Sequence, residues 1–170
     1  MSAPAHSIVL TGTLLPPMRA LAETSQGPRV WCVKNNAAGL REAIEQWGAS
    51  PDALVVGLQA SPPQSTYALA HAFWLIEAIQ LCREAGGRLP RYAIGLCPKS
   101  KEVDAAVIHA ATGSLTRYAT SHLLYENIGV NLIAYVDNAR GHQRAADAAQ
   151  ALMSGLLDTV RGQTLHVSDD

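Results

Sequence analysis

The stretch ALVVGLQA at residues 53–60 is apolar at consecutive positions rather than alternating ones. A strand built from it hides both faces, which asks for a parallel sheet with helices above and below. Five other short apolar runs have strand character: HSIVLTGT (6–13), RVWCV (29–33), RYAIGLC (91–97), GVNLIAYV (129–136) and QTLHV (163–167). Helical segments lie between them. Leu40, Ile44 and Trp47 fall at i, i+4 and i+7, and Gly48 and Pro51 close that helix. TYALAHAFWLIEAIQLCREAGG makes roughly five turns and stops at Gly86–Gly87. Residues 102–126 and HQRAADAAQALMSGLLDTV supply two more helices. LLPPMRALAETSQGPR, framed by Pro16–Pro17 and Gly27–Pro28, has room for about two turns. The alternation predicts an α/β fold: one doubly wound domain over residues 1–170, with about six parallel strands and right-handed crossovers.

Composition narrows the function. The formal net charge is −1 and only 16% of residues are charged, so no field gathers polyanions and nucleic acid is excluded as a partner. Cys32, Cys82 and Cys97 are odd in number and far apart, which suits reduced thiols and no zinc. His71, His109, His122 and His142 have no ligand spacing, so no metal is expected. MSAPAHSIVLTG has no positively charged leader, and no membrane-length apolar run occurs; the expectation is a soluble, cytoplasmic protein.

Three segments, SPDALVVGLQA, LTRYATSHLLYENIGVNLIA and AAQALMSGLLDTVRGQTLHVSDD, taken in order, resemble the short-chain dehydrogenase/reductase superfamily. They match its fourth strand, its catalytic helix with the Val–Asn strand that follows, and its last helix and strand. The resemblance covers most of the chain, and the Gly–Gln–x–Leu–x–Val tail is its most specific piece. It implies a Rossmann-like domain, here shortened in its N-terminal half, with a nicotinamide dinucleotide on a Gly-rich first turn. It also implies a tyrosine whose pKa is lowered by a lysine four residues on.

Against that pattern the chain departs. TGTLLPPM (11–18) keeps one glycine, Gly12, and Pro16 and Pro17 remove amide donors. The stretch from Gly12 to the Trp31 strand is short for the family's helix, strand and helix, and GLQA (57–60) replaces its Asn–Asn–Ala–Gly turn. Counting back from Leu115 and from Val130–Asn131 puts Ala105 at the tyrosine position and His109 at the lysine position. Tyr118 and His122 imitate the pair, but they lie too near Val130–Asn131 and point away from the face of Ala105. Cys97 falls near the serine position, where a buried small hydrophobe suits it better than a nucleophile. The expectation is therefore a catalytically inactive chain, no enzyme by itself, with no cofactor.

The resemblance further implies dimers through two long helices and tetramers through the last helix and strand, here residues 66–85, 102–126 and 142–168. Phe73, Trp74, Leu75, Ile76 and Ile79 wrap more than one helix face, which asks for burial on two sides. Phe73, Trp74, Ile76, Tyr118 and Leu165 are the expected interface residues, although aromatic residues there serve equally as core. The expected role is a pseudoenzyme subunit that stabilises an active NAD(P)-dependent short-chain dehydrogenase in a hetero-oligomer, up to a heterotetramer. Family precedent implies hydroxyacyl-CoA-type alcohols, as in benzylsuccinate and aromatic degradation. Two alternatives stay open. One is a reductase with a repurposed site at His109 or Tyr118. The other is a homodimer binding a small ligand or acyl-CoA, with Arg140 in the Asp137–Gly141 segment at the crevice end of the fifth strand.

Overall fold

The computed structural model describes residues 6–24, 29–33, 36–58, 65–99, 113, 128–157 and 159–168. Six strands form one sheet: β1 (Ser7–Gly12), β2 (Arg29–Cys32), β3 (Ala53–Gly57), β4 (Tyr92–Lys99), β5 (Gly129–Val136) and β6 (Thr164–Val167). Their order is β2-β1-β3-β4-β5-β6 and every neighbouring pair is parallel. Among the described residues four helices connect them: α1 (Pro16–Thr24), α2 (Ala37–Trp47), α3 (Ser65–Gly86) and α4 (Ala139–Met153).

Successive side chains of the central strands point to opposite faces, and each face has its own core. Val9, Leu54, Val56, Ala93, Val130 and Leu132 pack with Leu40 and Ile44 of α2 and with Trp74, Leu75, Ala78 and Ile79 of α3. Ile8, Leu10, Val55, Ile94, Leu96, Ile133 and Tyr135 pack with Met18 and Leu21 of α1 and with the small Ala145, Ala146 and Ala149 of α4. This double covering explains why ALVVG is apolar without alternation: all five residues are buried.

The short α1 holds because Met18 and Leu21 are fully buried, so packing offsets what nine residues cannot supply alone. Asn36 caps α2 by accepting from Gly39 N at 2.7 Å. Gly48, at φ 70°, ends it with its N–H on the Ile44 and Glu45 carbonyls. Trp47 then stacks on Trp31 of β2, ring centroids 4.3 Å apart, and fixes the helix against the four-residue edge strand.

At the amino ends of the strands Asp52 gathers three donors: Arg88 Nη2 at 2.9 Å, His6 N at 3.0 Å and Ser7 Oγ at 3.2 Å. Burial by itself would raise the Asp52 pKa. The hydrogen bonds from Arg88, His6 and Ser7 and the Arg88 charge outweigh that, and the carboxyl is held below its ordinary value. Ser50 shares its hydroxyl proton between the carbonyls of Cys82 and Arg88, tying the end of α3 to the start of β3.

Candidate functional site at the carboxyl ends of the strands

Strand order reverses between β1 and β3, and open sheets of this kind bind ligands at the carboxyl side of that switch point. Here the turn after β1 lies across the end of β3. Thr13 N donates to the Gly57 carbonyl at 3.1 Å. A side chain on Gly57 would overlap the Thr13 carbonyl, and Gly12 makes the turn at φ 85°. The backbone of the turn after β1 therefore lies directly against the end of β3.

A helix start binds phosphate through first-turn amides that have no partner within the helix. In α1 the first two positions are Pro16 and Pro17, which carry no N–H. The next two amides, of Met18 and Arg19, are already directed at the Leu15 carbonyl, at 2.9 and 3.4 Å. The residues present do not fit a pyrophosphate seated in the usual way on this turn.

At the ends of β4 and β5 the groups are of a different kind. Cys97 is 3% exposed, and burial pushes its thiol up to about 11, so it is no ready nucleophile. Tyr135 is fully buried, and its hydroxyl has no hydrogen-bond partner among the described residues. Burial first, then the nearby Asp137 and Cys97, raises its pKa, so the phenol stays protonated. His142 sits edge-on to the Tyr135 ring, centroids 5.7 Å apart, with Nε2 2.7 Å from Asp137 Oδ1. Asn138 caps α4 through Gly141 N at 2.7 Å, and Arg140 is exposed on the first turn. These groups can orient a histidine and present one cation.

Of the expected site residues, Gly12, Pro16, Pro17 and Cys97 lie at this end of the sheet, whereas Ala105, His109 and Tyr118 fall outside the described residues. Phe73 is 56% exposed on α3, while its neighbour Trp74 is turned inward into the core and Ile76 is half-buried. Leu165 of β6 packs partly against the core beside α4. Among the described residues no His, Cys, Asp and Glu cluster could hold a metal, and no helix is long and apolar enough to cross a membrane. Sequence reading used Val130–Asn131 as a register mark and gave Asn131 no structural role. Its Nδ2 donates to the Val160 carbonyl at 2.9 Å, and its Oδ1 accepts from Gln163 N at 3.2 Å. The only signal was a polar residue inside the apolar run GVNLIAYV.

No protein-family model and no curated protein sequence matches the chain. Solved structures do. A 3-alpha-hydroxysteroid dehydrogenase from Pseudomonas sp. B-0831, complexed with NADH, superposes with a TM-score of 0.71 at 15% identity, covering 95% of this chain and 94% of that one. The NADH-dependent enoyl-[acyl-carrier-protein] reductase of Aquifex aeolicus VF5 gives 0.73 at 12% identity, covering 94% of each chain. A short chain dehydrogenase from Leptospira borgpetersenii with bound NAD+ gives 0.73 at 16%, covering 98% of this chain and 92% of that one. The chain has the fold of the short-chain dehydrogenase/reductase family.

These neighbours correct one expectation. The sequence reading made the chain no enzyme by itself, a non-catalytic subunit. Its structural neighbours over nearly its whole length are dehydrogenases and reductases, which runs against that reading. That reading leans on Ala105 and His109, which lie outside the described residues, and on the turn at Gly12, Pro16 and Pro17, while the likeness to these structures, at 12–20% identity, shows the fold.

Proposed function

We propose that the chain works in oxidoreductase chemistry, interconverting a carbonyl compound and its alcohol, as one subunit of a hetero-oligomer with a second short-chain dehydrogenase/reductase chain. The observation that carries this is the match of 94–98% of the chain to oxidoreductase structures at TM-scores of 0.71–0.73. Exposed apolar side chains support the assembly. Phe73 on α3 is 56% exposed, and Leu156 and Leu157, just past α4, are 70% and 39% exposed. They lie within the two segments, 66–85 and 142–168, that the family resemblance assigns to subunit contact.

The test is to purify the tagged chain from its host together with whatever remains bound. Nicotinamide-linked oxidation of a hydroxyacyl-CoA alcohol, and reduction of the matching ketone, would then be assayed with and without this chain. Turnover by the assembly that falls about ten-fold or more when the chain is removed is the expected result, a loss of about 1.4 kcal/mol in transition-state stabilisation. Turnover by the isolated chain would keep the oxidoreductase reading and overturn the second subunit. No turnover in any form would overturn both.

A further inference from the structure

A hollow of about 530 Å³ opens at the other end of the sheet, where β1 and β2 begin and α2 ends. Trp31 and Trp47, stacked on each other, make one wall, and the turn at 49–51 makes the floor. Arg29, His6 and Gln46, all exposed, line it as well. Among the described residues no carboxylate lines it. Of the acidic groups near it, Asp52 is engaged by Arg88, His6 N and Ser7, and Glu42 accepts from Gln46 Nε2 at 3.4 Å. Arg29 has no carboxylate partner among the described residues, unlike Arg41, which pairs with Glu84, and Arg88, which pairs with Asp52.

We propose that this hollow is a binding site for a planar aromatic carboxylate, its ring against the indole wall and its carboxylate on Arg29 and His6. The volume is that of small-ligand pockets. Arginine offers a planar fork that matches a carboxylate with two parallel hydrogen bonds. Indole surfaces gain most from a flat apolar body. An inorganic oxyanion would satisfy Arg29 and leave the indoles wet, while a neutral ring would cover the indoles and leave the cation unanswered. Only a ligand with both parts uses both features. The site lies across the sheet from the carboxyl ends of the strands, so it is independent of the oxidoreductase reading, and its failure would leave that reading untouched.

The probe is 2-naphthoate, titrated into the full-length chain by calorimetry, with 2-naphthamide and inorganic phosphate as controls. Arg29→Gln changes an exposed side chain and leaves both cores alone. Saturable binding of 2-naphthoate is expected, weakened about ten-fold by Arg29→Gln and about ten-fold weaker for the amide, as for the loss of a charge-assisted pair. Trp47→Phe keeps an aromatic wall and should weaken binding less than Arg29→Gln. The proposal is overturned by absent binding, by equal affinity for the amide or for phosphate, or by an Arg29→Gln variant that binds as well as the parent.

Discussion

A methyl group placed on Gly57 would overlap the Thr13 carbonyl, and neither atom can yield without moving backbone, because Thr13 N is itself bonded to Gly57. Gly57→Ala should cost about 2–3 kcal/mol, as overpacking does, and lower the urea midpoint accordingly. Gly48 has open space around it and suffers only from its left-handed backbone, so Gly48→Ala should cost about 1–2 kcal/mol in the same measurement. Asp52 predicts a pH dependence. Its folded pKa lies below the unfolded value near 3.8, so its contribution is present above that value and is lost as pH falls through the folded pKa. Asp52→Asn should flatten the loss of stability below about pH 4, measured by thermal melting against pH. Tyr135→Phe removes a buried hydroxyl with no described partner and should leave stability unchanged or raise it by up to about 1 kcal/mol.

At the scale of elements, β6 depends on a side chain that does not belong to it. Asn131, 3% exposed in β5, holds the approach to β6 through Val160 and Gln163. Asn131→Leu should cost about 1–3 kcal/mol, two part-buried backbone groups losing their partners. Amide hydrogen exchange should show protection lost first in residues 160–167. This role could not be read from sequence, since the bonded residues stand 29 and 32 positions away. The strands could be read, because double burial leaves its mark in every residue of ALVVG. The start of the first helix could be read as well, because Pro16 and Pro17 act locally on the backbone. The inward turn of Trp74 beside an outward Phe73 could not, since a helix apolar around its girth does not say which side meets its own sheet. The Asp52–Arg88 pair, 36 residues apart, left no local trace either.

For the whole molecule, the six parallel strands place every carboxyl end on one edge, and the reversal between β1 and β3 marks where a ligand would enter. The backbone bond between Thr13 and Gly57 stands at that point. The proposed assembly makes its own prediction at this scale. Phe73→Asp and Leu156→Asp should lower the mass seen by analytical ultracentrifugation, while the melting temperature of the isolated chain shifts little, because both side chains are exposed in it. Unchanged mass in both variants would place any subunit contact elsewhere. The last strand is no detachable tail, since a protease cutting ahead of residue 160 would strand a carboxamide in the interior of the sheet. Trimming at the carboxyl side would then doom the remainder rather than release a smaller working domain.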